Sequence, residues 1–289
     1  MFSQALQSIE AYTMPVVITD VLLDKSLRSG CGTFIVLNKD GWILTAAHIV
    51  QQLGLRQQHQ QLIAQYEARR VEILNDQTLR RKIRENQLRS LRPDPHWITD
   101  EGVLWGWPQC QIQSFVVKPF CDLAAGKLEP FDSTWVKSYP VFKNPAEPML
   151  IGTSLCRLGY PLYTINATFE NGVFGLAPGV LPIPRFPNDG IFTRNVNMVS
   201  PDKSQTARFL ETSTPGLRGQ SGGPIFDTRG HVWALQSLTQ SLPLGFAPEV
   251  KDGDKKIVEH QFMHVGWGVH VAEIIEFLSA AKIEFSLSS

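Results

Sequence analysis

The stretch Gly216-Leu217-Arg218-Gly219-Gln220-Ser221-Gly222-Gly223-Pro224 sets one serine among glycines. Glycine has no Cβ, so the backbone there takes dihedrals barred to other residues and leaves Ser221 with little steric cover. An exposed hydroxyl beside free backbone N–H groups suits nucleophilic chemistry, because those donors can face a developing oxyanion. The same stretch also suits an ordinary glycine-rich turn between two strands. The rest of the chain has to separate the two readings.

At 289 residues, 43% hydrophobic and 19% charged, the chain can bury a sizeable core as one large or two modest domains. Lys plus Arg and Asp plus Glu both number 27, so no global charge points to nucleic acid or an anionic membrane. The 22 glycines and 19 prolines imply many turns, with more β than α over most of the length. No apolar run approaches the roughly 20 residues that span a bilayer. Residues 1–10 lack the basic and unbroken apolar regions of a secretory signal. Cys31, Cys110, Cys121 and Cys156 lie mostly in apolar, strand-like runs without a Cys-x-x-Cys pair. They read as buried free thiols, which fits a reducing cytoplasm rather than metal binding. His260 and His264 are four apart in a strand-like run, roughly 13 Å from each other and too distant to share an ion. No metal and no cofactor is expected.

Patterning along the chain is mostly that of short strands. Weak helical spacing over residues 1–12 gives way to a Val- and Ile-rich strand over Met14–Leu23. Residues 31–37 and 41–47 are apolar runs joined by Asn38-Lys39-Asp40-Gly41, a hairpin signal. From Val50 to Leu91 glycine and proline nearly vanish, and Leu62, Tyr66, Ile73, Leu79 and Ile83 fall at helical spacing. This predicts a helical hairpin or one long helix broken near Asn75-Asp76. Its arginines outnumber its acids, which describes either a solvated face laced with i,i+4 pairs or a docking arm. Strands are predicted near 102–107, 111–117, 121–128, 154–160, 167–175, 190–197, 206–211, 224–226, 231–238 and 262–271. A polar loop holds Asp252-Gly253-Asp254, and residues 272–281 close the pattern as a helix.

Ser221 needs a base, and the base needs an orienting partner. Gly219-x-Ser221-x-Gly223 formally matches the nucleophile elbow of α/β-hydrolases, whose acid and histidine follow the serine. Asp252 or Asp254 with His264 or His270 would fit that order. The elbow requires a helix directly after the serine, however, and here Gly222-Gly223-Pro224 leads into a strand and a turn. Strand–helix alternation is also missing. The opposite order, histidine then aspartate then serine, is met by Thr45-Ala46-Ala47-His48, by Asp122-Leu123-Ala124-Ala125-Gly126-Lys127-Leu128 and by Gly219-Gln220-Ser221-Gly222-Gly223-Pro224.

In these three motifs the chain resembles the chymotrypsin-fold (trypsin-like) serine proteases. Gly159-Tyr160-Pro161, Asn171-Gly172-Val173 and Phe209-Leu210-Glu211-Thr212 place it nearest the bacterial HtrA-like branch, without a PDZ domain after the catalytic region. The resemblance implies an all-β fold of two six-stranded antiparallel β-barrels with a helical insertion. The N-terminal barrel is expected over residues 14–130, interrupted by the charged insertion at about 50–92. The C-terminal barrel is expected over 131–271 and the C-terminal helix over 272–283, within one peptidase domain. It also implies a serine endopeptidase with Ser221 as nucleophile, His48 as base and Asp122 as its orienting acid. The Gly219 and Ser221 N–H groups would form the oxyanion hole, and Ser237 would support Asp122 beside the substrate strand.

Departures from the family pattern matter too. Gln220 stands where the digestive enzymes carry an aspartate that pairs with a freshly cut N-terminus, so activation by such a cut is not expected. Pro215 occupies the pocket-floor position, removing the simplest cause of an Arg or Lys preference. Thr239, Gly268 and His270 would line the pocket walls. Small or medium apolar residues are the expected preference at P1, the residue on the acyl side of the scissile bond; an acidic residue read by His270 or Arg218 is the alternative. Arg157 sets a charge in an otherwise apolar run, with no role assigned to it by the resemblance. The expected partners are a protein or peptide substrate and a regulatory protein docking on the 50–92 insertion, in the cytoplasm of a bacterium. The competing reading is a catalytically silent pseudoprotease serving as a binding module.

Overall fold

The computed structural model describes residues 1–252, 255–258 and 260–289. Asp254, one acid of the rejected hydrolase order, lies outside the described residues.

Helix α1 (Ser3–Tyr12) buries Ile9 and Tyr12 and runs directly into strand β1 (Thr13–Leu22). β1 pairs with β2 (Leu27–Val36), which turns through Asn38–Gly41 into β3 (Trp42–Ala46). The turn forms as the Asp-Gly pair predicts. Gly41 takes φ +83°, in the left-handed region that glycine tolerates, and its N–H donates to the Asn38 carbonyl at 3.2 Å. After β3 come three helices, α2 (Ala47–Leu53), α3 (Leu55–Asn75) and α4 (Arg81–Ser90). The break between α3 and α4 falls at the predicted Asn75-Asp76. The arm carries the ion pairs Arg69–Glu72, Arg70–Glu67 and Arg81–Glu85 on its outer faces. It is tied back by Ile73, which is buried, and by the amide of Ile98, which donates to His59 Nδ1 at 3.0 Å.

Strands β4 (Ile98–Trp105), β5 (Gln111–Lys118) and β6 (Leu123–Glu129) complete an antiparallel sheet in the order β4-β1-β2-β3-β6-β5. No ladder joins β4 to β5 among the described residues, so the expected N-terminal barrel is an open half-barrel. Side chains fill its seam: the rings of Trp105 on β4 and Phe115 on β5 lie 5.6 Å apart.

The second sheet begins with β7 (Val141–Phe142) and β8 (Ser154–Gly159). A small hairpin follows, β9 (Ala167–Glu170) with β10 (Val173–Leu176), then β11 (Phe186–Val199), β12 (Thr206–Thr212), β13 (Pro224–Phe226) and β14 (His231–Pro243). A second hairpin pairs β15 (Glu249–Asp252) with β16 (Lys255–Val258) and leads to β17 (Phe262–His270). The order β13-β8-β11-β12-β17-β14, with β14 returning to pair with β13, closes a six-stranded ring. Helix α5 (Val271–Ala280) caps it, and β18 (Ser286–Leu287) adds beside β7 on the β14 edge.

One apolar cluster runs across both sheets, joining Ile9, Phe34, Leu44 and Leu123 to Phe209, Phe226, Leu235 and Val269. Each such fully buried side chain contributes about 1.5–3 kcal/mol, so the sheets are held as one body. Leu155, Phe192, Leu210, Ile225 and Ala234 form a separate cluster in the second sheet. No helix among the described residues is long and apolar enough to cross a membrane.

Candidate functional site

His48, Asp122 and Ser221 come from three segments that the two sheets bring together. The β3–β6 ladder ends with Ala46 opposite Leu123, and the Ala47 amide donates to the Asp122 carbonyl at 3.1 Å. Ala46 and Ala47 are fully buried, so their small side chains let the two ends approach closely. Asp122 follows the short helical turn Pro119–Cys121 and takes φ +54°, a left-handed conformation that Asp and Asn adopt more readily than most residues. Its carboxylate then faces His48. Oδ1 accepts the His48 backbone N–H at 2.9 Å, while Nδ1 of the imidazole lies 3.1 Å from Oδ1 and 2.9 Å from Oδ2. A carboxylate only accepts, so Nδ1 carries the proton and Nε2 is left as the basic nitrogen.

Ser237 supplies the third hydrogen bond to this carboxylate, its hydroxyl donating to Asp122 Oδ2 at 2.5 Å. It reaches Asp122 because β14 slips register against β17 between Gln236 and Leu238, leaving Ser237 as the extra residue of a bulge. Such bulges re-aim a side chain that would otherwise lie in the ladder.

The Ser221 loop is pinned from both sheets. From the N-terminal side, Thr33 donates its amide to the Ser221 carbonyl at 2.8 Å and its hydroxyl to the Gly219 carbonyl at 2.7 Å. From the other side, the Gly222 amide donates to the Gln236 carbonyl and the Gln236 amide to the Gly223 carbonyl, both at 2.8 Å. Glycine is obligatory at several points of this packing, two of them with positive φ. Gly219 holds φ +102° and a Cβ there would stand 2.4 Å from the Tyr160 carbonyl; Gly222 holds φ +81° with a Cβ 2.1 Å from the Thr33 carbonyl. Neither the Gly219 nor the Ser221 amide donates to an acceptor among the described residues. Gln220 is fully buried. Its Oε1 accepts the Leu217 amide at 2.9 Å and its Nε2 donates to the Phe186 carbonyl at 3.2 Å. A neutral amide thus orders the loop through two hydrogen bonds and no charge pair.

His48 and Ser221 line one cavity of about 660 Å³, together with Gly219, Arg218, Gln236 and Thr239. The Ser221 hydroxyl points to the Ser237 carbonyl at 3.4 Å, and no hydrogen bond joins it to His48 among the described residues. Such contacts are commonly loose before substrate binds.

The expected pocket residues divide. Ser237 and Thr239 line the cavity, and Thr239 donates its hydroxyl to the Gly216 carbonyl at 2.7 Å. Pro215, Gly268 and His270 lie outside the lining of this cavity. Pro215 turns away with its carbonyl accepting from Asn188 Nδ2 at 2.9 Å. Gly268 faces the barrel interior, where a Cβ would meet Ile225 at 2.5 Å. His270 caps α5, its Nδ1 accepting the Ala272 amide at 3.1 Å. Burial and then the nearby Arg208 lower its pKa to about 4, so it is neutral at physiological pH. Sequence reasoning missed Gln236, which lines the cavity; the β14 bulge next to it leaves no mark in the sequence. All four cysteines are unpaired, and burial pushes the Cys31 and Cys156 thiols up to about 12, well away from nucleophilic thiolates.

Residues 32–235 match the sequence model of a family described as the trypsin-like peptidase domain. No curated protein sequence matches the chain. Solved structures that it resembles include the Rv3671c protease from M. tuberculosis in an active form, at 15% identity over 98% of this chain and 86% of that one, TM-score 0.49. An inactive form of the same protease aligns at 16% identity over 96% and 91% of the two chains, TM-score 0.47. The HtrA-type protease AlgW, with a tripeptide, aligns at 12% identity over 98% and 64%, TM-score 0.48.

Proposed function

The chain belongs to the trypsin-like peptidase family and is a serine endopeptidase, and on that premise we propose that it works through Ser221, His48 and Asp122. Ser221 Oγ attacks the scissile carbonyl carbon as its proton passes to His48 Nε2. The oxyanion so formed takes hydrogen bonds from the Gly219 and Ser221 amides. His48 then gives the proton to the leaving amine, the C–N bond breaks, and an acyl-enzyme remains on Ser221. Water enters by the same route in reverse, releasing the new carboxylate and restoring the serine. Asp122 holds the imidazole in the one tautomer that works and stabilises the imidazolium.

The observation that carries this reading is the Asp122 carboxylate gripping both the backbone amide and Nδ1 of His48. This grip leaves Nε2 as the one basic nitrogen, on a residue that lines the same cavity as Ser221. The binding-module reading draws support from the Ser221 hydroxyl pointing to Ser237. A peptide library analysed by mass spectrometry separates them: wild type cleaves, and Ser221→Ala does not. Equal peptide patterns from the two proteins would favour the binding module.

We further propose an intracellular site of action, supported by four unpaired cysteines, and regulation by a protein that docks on the α3–α4 arm. In support of docking, the arm exposes Leu62, Val71, Leu74 and Ile83 among its charges. Deleting the arm should leave the barrels folded while changing partner capture or activation; unchanged capture and activity would sink the idea.

A further inference from the structure

Arg157 sits on β8 in an apolar run, and its side chain is the largest that the fold buries completely, at 1% exposure. Nη2 donates to the Thr212 hydroxyl, but Nε and Nη1 have no partner among the described residues, and no carboxylate pairs with the guanidinium there. Burying a cation without a counter-charge costs several kcal/mol, and the group does not escape by neutralising. Burial lowers its pKa only to about 10, which leaves it charged at neutral pH. An unbalanced charge with two free donors therefore stands inside the second barrel.

Its position gives that charge a use. Nη1 and Nη2 lie against Gly266, where a Cβ would meet them at 2.6 and 2.7 Å. Gly266 pairs with Thr212 on one side and with Thr239, a cavity wall, on the other. Gln236 links the cavity to the same place. Its amide packs against Gly216 so closely that a Cβ there would be 2.1 Å from Nε2, and it donates to the Leu238 carbonyl at 3.0 Å and the Trp267 carbonyl at 3.4 Å. Its Oε1, like Nε and Nη1 of Arg157, is buried without a partner among the described residues. Arg218 lines the same cavity and adds a second positive charge there.

We propose that Arg157 is the floor of the P1 subsite and selects an aspartate or glutamate side chain there. A carboxylate entering between Gly216 and Thr239 opens the Thr239–Gly216 hydrogen bond, turns the Gln236 amide aside and accepts from the free guanidinium donors, completing the ion pair that the fold leaves open. Fork-shaped pairing of carboxylate with guanidinium is strong and directional. The inference rests on the protease reading above. It replaces Pro215 as floor and an apolar preference as its consequence, and it excludes His270 as the reader of an acid.

The test uses fluorogenic peptides identical except for Glu, Gln, Ala or Leu at P1, with fluorophosphonate labelling of the same samples as a readout that does not depend on P1. Wild type should favour Glu over its isostere Gln by about 100-fold or more in kcat/KM, as expected where a buried charge is left unpaired by the wrong substrate. Arg157→Met, similar in length and uncharged, should shrink that ratio to about threefold or less by lowering the Glu rate. If that variant does not fold, the wild-type ratio alone decides. Labelled wild type that cleaves after Gln, Ala or Leu as well as after Glu overturns the subsite while the protease reading stands. A preserved ratio in a folded Arg157→Met overturns Arg157 as its reader. Wild type that is neither labelled nor active overturns the protease reading, and this proposal with it.

Discussion

Replacing Asp122 by Asn changes one atom, yet the surrounding hydrogen bonds dictate a large outcome. Oδ1 accepts the His48 backbone N–H at 2.9 Å, a donor with no alternative, so the amide oxygen of an asparagine has to stay there. The NH₂ then occupies the Oδ2 position, 2.9 Å from His48 Nδ1 and 2.5 Å from the Ser237 hydroxyl. Ser237 can rotate to accept. The imidazole has to accept as well, which moves its proton to Nε2 and removes the basic nitrogen proposed to serve Ser221. The expected loss is about 10⁴-fold in kcat, or about 5.5 kcal/mol of transition-state stabilisation. The fold should suffer little, because Asn tolerates φ +54° as well as Asp does. Asp122→Ala is the informative control. It frees the imidazole to take either tautomer, so its kcat should be no lower than that of the asparagine variant, although it strains the left-handed position and lowers the melting midpoint more. The assay is peptide hydrolysis with matched thermal unfolding. An asparagine variant within tenfold of wild type, or one much faster than Ala, would refute the tautomer argument.

Other perturbations have equally definite outcomes. Gly219→Ala forces a Cβ toward the Tyr160 carbonyl and displaces the proposed oxyanion donor, so kcat should fall about 10²–10³-fold with KM little changed in steady-state kinetics. Ser237→Ala removes one of three hydrogen bonds to Asp122; about a tenfold loss in kcat is expected, since the two His48 contacts remain. The folded-state pKa of His270 is depressed to about 4 from its ordinary value of 6.5, so the unfolded chain binds the extra proton first as pH falls. Stability attributable to this residue is then complete above pH 6.5 and declines toward pH 4, by up to about 3 kcal/mol. His270→Gln should flatten that part of the pH–stability curve; an unchanged slope would contradict the assignment.

The motifs of the proposed triad are legible because each is local: a strand ending in Ala-Ala-His, an Asp opening the neighbouring strand, a serine among glycines. So are the hairpin at Asn38–Gly41 and the helical arm, where composition and spacing change together. What the sequence could not convey was register. The Ser237 bulge turns that serine toward Asp122 and puts Gly268 opposite Gln236, inside the barrel, while Gly266 comes opposite Thr239 at the cavity. A shift of this kind has no periodic signature, so the sequence alone does not show that Gly268 and His270 lie outside the cavity lining. The open seam between β4 and β5 was hidden for a related reason: Trp105 and Phe115 read as strand residues whether or not a ladder joins them. Arg157 was visible as an oddity in an apolar run, but its meaning depends on β12 and β17, distant in sequence and packed around its guanidinium.

The central claim is that Ser221 is a nucleophile activated by His48. The direct measurement is intact-mass and peptide-mapping mass spectrometry after incubation with a fluorophosphonate, on wild type, Ser221→Ala and His48→Ala. One phosphonyl adduct on Ser221 of wild type, absent from Ser221→Ala and slowed by several orders of magnitude in His48→Ala, is the predicted result. Unmodified wild type, or labelling that survives either substitution at the wild-type rate, would contradict it.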